Sequence, residues 1–398
     1  MKKAYIISTI TALIFIVAGF IVKATLFPDK EDKVVKVGFI YDGDRITPYT
    51  DNFINAQESI EEKYGKKVET VAKYNVEENA AEADIQELVD EGCDVIITAS
   101  YGYGTEAKKF AAEYPDIEFC QATCSNANEE PVYKNYHNFM GTIYQGRYIT
   151  GVVAGMKIKE MIDDGIITEE QAQIGYVGAY PYPEVISGYT AFFMGVRSVV
   201  PEAVMTVKYT NTWNNYTLEK KVANQLIDMG CVVISQHSDT NGPAVACENA
   251  HGDLPVYHVG YNKSMTDIAP TTSLVSSNLN YEPYFDAVVE AMLEDKSIED
   301  VVDADTYGQD SAAGFDKNWV RVLDLNEAIV AKGSKKAVKD NIKKLINGDI
   351  DVFKGDYTAT NPNDKTDTIS LKNGYKENEK SSAPTFGYVL DDVITVID

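Results

Sequence analysis

The chain has 398 residues, of which 44% are hydrophobic and 24% charged, a composition typical of a globular protein able to bury one or two full cores. Its formal net charge is −25, because 61 acidic residues outnumber 36 basic ones. Nucleic-acid binders need clustered Lys and Arg to contact phosphates, so the charge argues against that class of function.

The first 33 residues have the pattern of a signal or membrane-anchor segment followed by a linker. Lys2 and Lys3 precede an uncharged apolar run, Ala4 to Val22, which at about 1.5 Å per residue can cross a ~30 Å hydrocarbon core. Positive charge before the run and an acidic chain after it predict that the remainder lies outside the cytoplasm. A weak cleavage site ends at Ala24, so the sequence leaves both a retained membrane helix and a secreted form open.

Strands and helices alternate after this segment. The order predicts a parallel sheet with right-handed crossovers. The predicted elements are strands Val34 to Tyr41, Val68 to Tyr74 and Pro115 to Cys120, an apolar strand after Gly92, and helices Tyr49 to Tyr64, Ala80 to Glu91 and Thr105 to Glu113.

The pattern then repeats. The stretch LVDEGCDVIITASYGYG, 88–104, has a counterpart in LIDMGCVVISQHSDTNG, 226–242, and KVGFIY at Lys36 has one in QIGYVG at Gln173. Two copies of like order predict an α/β protein of two doubly wound parallel-sheet lobes, since a solenoid needs three or more shorter repeats. We assign 34–140 plus about 276–310 to lobe one. Lobe two is 141–275 plus about 311–398, with a C-terminal extension that includes a predicted helix from Asn326 to Asn347.

Polar and aromatic residues gather in the loops that follow the strands. In an open parallel sheet, ligands bind at the carboxyl ends of the strands. Flat aromatic rings from both lobes could enclose a planar ring while amide and carboxylate groups contact its edge. The candidate ligand-binding residues are Tyr49, Thr50, Tyr101, Tyr103, Tyr180, Trp213, His237, Asp239, Tyr261 and Asn262.

Catalytic and metal motifs are not evident in the sequence. None of the four histidines stands in HExxH, and neither GxxxxGK[ST] nor GxGxxG follows a strand. His237, Ser238 and Asp239 are the residue types of a catalytic triad. They cannot form one here, because neighbouring residues in a strand point to opposite faces. Cys120 and Cys124 could pair or bind metal, but no His or Cys cluster accompanies them. We therefore expect a binding protein without catalytic residues, metal or cofactor.

Several stretches of the sequence match those of a known family. They are KVGFIY at Lys36, GCDVIITASYGYG at Gly92, FAAEYPDIEF at Phe110, YQGRYITGVVAG at Tyr144, IGYVGAYPYPEVISGYTAFFMGVRSVVP at Ile174, TNTWNN at Thr210, GCVVISQHSDT at Gly230 and VGYNKSM at Val259. On these stretches, which cover roughly residues 34–325, the chain resembles the basic-membrane-protein family of ABC-transporter solute-binding proteins, whose members include purine nucleoside receptors.

This resemblance implies a type I periplasmic-binding-protein fold with a hinge and a ligand cleft, an ABC permease as membrane partner, and a purine nucleoside or nucleobase as ligand. Tyr49 falls where this branch has a stacking Trp, whereas Trp213 and Asp239 match the branch. Asn262 replaces an Asp that binds ribose in many relatives, so nucleoside and free base both stay open. We expect a monomer.

A second class of function also fits the sequence. The family's lipid-anchored Cys is absent at the end of the apolar run, since the first cysteine is Cys93. Attachment would then depend on the apolar helix itself. A membrane-tethered sensory or regulatory protein that keeps the ligand-binding fold but does not transport is therefore the alternative hypothesis.

Overall fold

The computed structural model describes residues 33–252, 255–323 and 325–398. Except for Lys33, the predicted signal or anchor segment, with its cleavage site near Ala24, lies outside these residues. The sensory alternative depends on the same segment. Among the helices that the structure describes, none is long and apolar enough to span a membrane.

The first lobe begins with alternating strands and helices, as the sequence predicts. Its central strands, such as Val95–Thr98, are buried on both faces, as is usual for a parallel sheet, whereas the edge strand Val68–Lys73 is only partly buried. The elements are β1 (Val35–Ile40), α1 (Pro48–Tyr64), β2 (Val68–Lys73), α2 (Ala81–Asp90), β3 (Val95–Thr98), α3 (Gly104–Glu113), β4 (Glu118–Ala122) and β5 (Tyr136–Gly141).

The chain then crosses to the second lobe and repeats the order. The elements there are α4 (Ile143–Asp163), β6 (Gln173–Gly178), α5 (Pro183–Arg197), β7 (Val204–Tyr209), α6 (Tyr216–Asp228), β8 (Val233–His237), α7 (Gly242–Ala250), β9 (Tyr257–Tyr261) and β10 (Ser273–Leu279).

Two further crossings complete the fold. The chain returns to lobe one and then passes back to lobe two, so three connections join the lobes. The remaining elements are α8 (Glu282–Glu294), β11 (Asp305–Tyr307), β12 (Asp310–Ala313), β13 (Val320–Val322), α9 (Ser334–Ile346), β14 (Thr358–Asn361), β15 (Asp364–Ser370), β16 (Val389–Leu390) and β17 (Ile394–Ile397).

The two main sheets have matching topology. The first has the order β2-β1-β3-β4-β5-β12-β11 and the second β17-β7-β6-β8-β9-β10-β13. Each sheet is parallel except where β11 and β13 pair antiparallel at an edge. The first strand of each lobe lies between the second and third, which is the doubly wound arrangement. The predicted fold class of two parallel-sheet α/β lobes is confirmed.

The lobe boundaries differ by a few residues from those assigned on the sequence. Strand β10 remains in the second sheet, where Ser277 pairs with Tyr261. Lobe one therefore resumes at Glu282, after the predicted residue 276. It then extends past residue 310, because β12 pairs in parallel with β5 and Ala313 stands opposite Gly141.

The C-terminal extension is integrated into lobe two. Strand β17 pairs in parallel with β7, and β14, β15 and β16 form a third sheet. Phe353, Leu371 and Phe386 are buried in the core of lobe two. The predicted helix from Asn326 begins only at Ser334, after Gly333 with φ 93°.

Helices α4 and α5 pack so closely that glycine is required at their contact. A methyl group on Gly151 would lie 2.0 Å from the carbonyl oxygen of Phe192, and one on Gly195 would lie 2.1 Å from that of Tyr148. Both neighbouring atoms belong to the backbone, which cannot move aside as a flexible side chain would. The small residues of α4 thus permit the close contact between α4 and α5 in lobe two.

The five cysteines are all free and buried. Pairing of Cys120 with Cys124, which the sequence left open, does not occur in this structure. Burial raises the pKa of the Cys124 thiol to about 11, so this thiol is un-ionised at neutral pH. No group of three or more His, Cys, Asp or Glu side chains within the described ranges could hold a metal ion.

Candidate functional site

A narrow cavity of about 20 Å³ lies between the lobes, at the carboxyl ends of the strands of both sheets. This volume is far below the roughly 300–1,000 Å³ common for small-molecule sites, so a purine can enter only when the lobes move apart. Half of the lining comes from each lobe. The lining residues are Asp42, Tyr49, Ser100, Tyr101 and Thr123 from lobe one, and Glu184, Trp213, His237, Asp239 and Tyr261 from lobe two.

The wall in lobe one follows strands β1, β3 and β4. Tyr49 stands at the start of α1, where Pro48 begins the helix, and its ring packs edge-on against Phe53 at 5.0 Å. Tyr101 follows β3 and is 55% exposed, so it lies at the mouth of the cavity. Thr123 follows β4 with φ 60°, a left-handed conformation rare for a β-branched residue. Such strained residues concentrate at functional sites.

Aromatic rings meet at the wall of lobe two. Trp213 lies after β7, and Tyr180 meets it edge-on with ring centroids 5.2 Å apart. Tyr182 stacks on Tyr180 at 5.1 Å and also approaches Tyr101 of lobe one at 6.0 Å. These rings form an aromatic cluster that continues across the mouth of the cavity.

His237 and Asp239 occupy the end of β8, where burial controls their ionisation. Burial lowers the pKa of His237 to about 4, and the charge of Arg147 lowers it further, whereas Glu184 opposes the shift through a contact of 3.2 Å to Nε2. His237 is therefore neutral at pH 7. Burial also raises the pKa of Asp239 well above its usual value, and the carboxyl groups of Asp42 and Glu184 add to this effect.

Asp42 is a third carboxyl group in the cavity. Burial raises its pKa to about 6, although a hydrogen bond from the Thr50 hydroxyl to Oδ1 at 3.0 Å stabilises the charged form. At neutral pH this carboxyl group is thus mostly ionised but close to its titration range.

Six of the ten predicted ligand residues line the cavity, and four do not. Thr50 instead holds Asp42, and Tyr180 supports Trp213. Asn262 donates to Asp239 Oδ1 at 3.4 Å. Tyr103 is fully buried in lobe one and its hydroxyl donates to the carbonyl oxygen of Val76 at 2.6 Å, so the structure places it in the core.

The sequence placed the segment from Ser100 to Gly104 at the cleft, and Ser100 lines the cavity, but sequence reasoning missed Asp42, Thr123 and Glu184 as lining residues. Asp42 and Thr123 stand directly after strands, and this position alone could have identified them. Glu184 stands in the first turn of α5, two residues after Tyr182, and the start of this helix faces the cleft.

The loop that carries Asp239 is fixed by a buried carboxylate that the sequence did not reveal. Glu219 on α6 accepts hydrogen bonds from Ser238 Oγ at 2.8 Å, from Thr240 Oγ1 at 2.7 Å and from the Thr240 amide at 3.1 Å. A corresponding support exists in lobe one, where Glu78 accepts from Ser100 Oγ at 2.5 Å and from the Gly102 amide at 2.8 Å. Both loops are therefore held rigidly on their lobes.

Side chains also connect the lobes beside the cavity. Asn52 of α1 donates to Asn262 Oδ1 at 3.2 Å and accepts from Asn278 at 2.8 Å. Lys263 pairs with Asp51 at 2.9 Å. The molecule is thus in a closed arrangement, with the cleft covered by contacts between the two lobes.

A pair of doubly wound lobes with a cavity at their facing strand ends defines a solute-binding protein. The chain belongs to the Bmp family, described as ABC transporter substrate-binding protein, PnrA-like, whose family model matches residues 34–353. This family comprises substrate-binding proteins of transporters and is not a class of enzymes.

Two proteins with similar sequences agree with this assignment. The chain is 32% identical over 283 residues to a purine-binding protein of Brucella abortus, covering 70% of this chain and 73% of the relative. It is 29% identical over 300 residues to a putative ABC transporter glucose-binding protein of Haloferax volcanii, covering 75% and 69%.

The fold is also found in solved structures. An ABC-transporter solute-binding protein from Aeropyrum pernix K1 superposes with a TM-score of 0.64 at 18% identity, covering 79% of this chain and 92% of that chain. This likeness confirms the type I periplasmic-binding-protein fold.

Proposed function

We propose that this protein is an extracytoplasmic receptor that captures a purine nucleoside or nucleobase and delivers it, as a monomer, to an ABC permease. One observation carries the proposal: Trp213, Tyr49 and Tyr101 line a single small cavity together with polar groups at the strand ends of both lobes. A planar heterocycle presents two faces for stacking and an edge for hydrogen bonds, and this lining offers both.

Aromatic stacking would supply most of the affinity. Trp213 is only partly buried, and its ring is held by Tyr180 and Tyr182, so it is preorganised at the cavity wall. Stacking of a base on an aromatic side chain is worth about 1–3 kcal/mol. The similarity to a purine-binding relative supports a purine over other planar ligands.

Hinge closure would complete the site. Because the lining is divided between the lobes, a ligand reaches all its contacts only when they approach each other. Differential contacts of this kind shift the equilibrium towards the closed state. The hydrogen bonds of Asn52 to Asn262 and Asn278 would form as part of the same movement.

A tryptophan fluorescence titration tests the proposal. Trp319, the other tryptophan, is 1% exposed in the core of lobe one, so a ligand-dependent change should come mainly from Trp213. We expect a saturable response to at least one of adenine, adenosine, guanosine, inosine and xanthine, and none to glucose. A saturable response to glucose with none to any purine would overturn the proposal.

A further inference from the structure

Three carboxyl groups surround the small cavity between the lobes. Asp42 comes from lobe one, and Glu184 and Asp239 come from lobe two. Among the side chains that line the described cavity there is no Lys or Arg. Acidic groups around so small a volume repel anions and favour ligands that donate hydrogen bonds or carry positive charge.

The carboxyl groups of lobe two retain acceptor capacity. Glu184 uses Oε1 for its contact with His237, and Asp239 uses Oδ1 for its contact with Asn262. Within the described part of the chain, Glu184 Oε2 and Asp239 Oδ2 have no hydrogen-bond partner. These two oxygen atoms are available to accept hydrogen bonds from a ligand.

Other polar atoms of the lining are buried and unpaired. The hydroxyls of Tyr49 and Tyr261 and the Nδ1 atom of His237 have no partner within the described chain, although these residues are at most 8% exposed. Buried polar groups are rarely left unsatisfied in native proteins. A bound ligand in the cavity would satisfy them.

One buried cation lies behind the lining. The guanidinium of Arg147 stacks on the ring of Tyr261 at 3.6 Å from its centroid and is fully buried. Its three side-chain nitrogen atoms have no hydrogen-bond partner within the described chain. Burial raises the pKa of Asp239 well above its usual value, so this carboxyl group is not counted as charged, and His237 is neutral at pH 7. The carboxyl groups of Asp42 and Glu184 still outnumber the single positive charge of Arg147.

We infer that this cavity selects purines rich in N–H donors, such as aminopurine bases, over purines that carry negative charge. The inference rests on the proposed function and narrows its ligand class. The exocyclic amine and ring N–H groups of an aminopurine would donate to Glu184 and Asp239 while its faces stack on Trp213. An anionic purine of the same size would be repelled by the carboxylates of Asp42 and Glu184.

Titration of the purified full chain with adenine, 2,6-diaminopurine and urate at pH 7 tests this inference, because the three ligands have similar size and urate is an anion. We expect both aminopurines to bind at least 10-fold more tightly than urate. Glu184→Gln and Asp239→Asn should each reduce the ratio of the Kd for urate to the Kd for adenine. The control Glu327→Gln, at an exposed residue, should leave this ratio unchanged. Urate binding as tight as that of adenine would overturn the inference and indicate that Arg147 recognises an anion. Binding of none of the purines would instead refute the proposed function.

A different observation concerns residues 375–388, which we call the bridging segment. It belongs to lobe two, because Phe386 is fully buried in that core and stacks on Phe353 at 4.7 Å. The carboxylate of Glu377 accepts a hydrogen bond from Ser187 of α5 at 2.8 Å. The segment lies outside the part of the chain that matches the family model, 34–353.

The bridging segment also contacts lobe one. Ser125 Oγ accepts hydrogen bonds from Ser381 Oγ at 2.6 Å and from the Ala383 amide at 2.9 Å. Ser382 donates its amide to Asp310 at 3.0 Å and its hydroxyl to the carbonyl oxygen of Cys124 at 3.2 Å. These bonds join the lobes at points distant from the three chain crossings in sequence.

Both attachments lie next to the cavity in sequence. Ser125 follows Thr123 by two residues, and Ser187 stands three residues after Glu184, one turn along α5. We propose that the bridging segment is a clasp that stabilises the closed state. Its bonds to lobe one would be broken when the cleft opens, so they would contribute to the apparent affinity through the closure equilibrium.

The double variant Ser125→Ala/Ser382→Ala tests the clasp. We expect adenine binding to weaken at least about 10-fold, because the variant removes three hydrogen bonds between the lobes. The control Ser198→Ala removes a bond to the carbonyl of Gly195 within lobe two and should leave binding unchanged. Unchanged affinity in the double variant, with thermal stability lowered or not, would overturn the proposal.

Discussion

The proposed stacking residue Trp213 lies at the cleft, and its position in the sequence already suggested this. It follows a strand end and stands in a loop among asparagines, and the structure places its ring at the cavity wall. Tyr103, also predicted to contact the ligand, does not line the cavity, because a short 3-10 turn at residues 101–103 directs its side chain into the core. Loop geometry of one or two residues cannot be read from composition.

Replacement of Trp213 gives the first prediction. Trp213→Ala should weaken adenine binding by about 1–3 kcal/mol, because it removes the stacking face. Calorimetric titration measures the change. Tyr307→Ala is the matched control, since Tyr307 is 49% exposed on β11 and does not line the cavity. Equal affinity of the two variants would contradict a stacking role for Trp213.

His137 gives a prediction about pH. Burial alone would lower its pKa, but contacts to Glu299 at 2.5 Å and Glu118 at 2.8 Å raise it to about 9. A folded pKa above the ordinary value of 6.5 means that this contribution to stability is complete below about pH 6.5. It is lost as pH rises towards 9.

The stability difference between the wild type and His137→Gln should therefore shrink on going from pH 6 to pH 9.5. The rise in pKa from 6.5 to about 9 corresponds to at most about 3–4 kcal/mol of stability. Urea unfolding at several pH values measures it. The Glu327→Gln variant, altered on an exposed carboxylate, should show no such trend, and a constant difference for His137→Gln would refute the assigned ion pairs.

At the level of the elements, the order of strands and helices followed from the sequence because hydrophobic periodicity and glycine positions mark them clearly. The start of α9 did not follow from the sequence, since residues 326–333 have helical periodicity but form turns before Ser334. The position of β17 in the sheet was also not predictable. Its pairing with β7 joins residues nearly two hundred positions apart, and such a contact leaves no local pattern.

The contact between α4 and α5 gives a prediction at this scale. Gly151→Ala should destabilise the protein by at least about 1–3 kcal/mol, because the added methyl group meets the Phe192 backbone. Thermal or urea unfolding measures the loss. In the control Gly387→Ala the new methyl group meets no atom nearer than 3.5 Å and should be tolerated. Equal stability of the two variants would show that the helices can separate at little cost.

For the whole molecule, the doubled motif predicted two lobes and a cleft, and the family resemblance predicted its location. The closed contacts between the lobes depend on side-chain pairs such as Asn52 with Asn278, which come from distant segments. No spacing rule in one sequence connects such residues. The bridging segment was likewise invisible, because its polar composition is typical of a loop.

Contacts between the lobes give the prediction for the whole molecule. Asn52→Ala removes the hydrogen bonds to Asn262 and Asn278 and should weaken adenine binding by about 1–2 kcal/mol through the closure equilibrium. Its effect on the unfolding of each separate lobe should be small. Fluorescence titration measures the affinity, with Asn55→Ala on the exposed face of α1 as the control. Undiminished binding by Asn52→Ala would show that closure does not depend on this contact.

A crystal structure of the protein saturated with adenine would show directly whether a purine ring binds between the two lobes against Trp213. We expect a planar ring inside the cavity, stacked on Trp213, with its N–H groups directed at Glu184 and Asp239. An adenine ring bound outside the cleft, or inside it without contact to Trp213, would rule out this mode of binding.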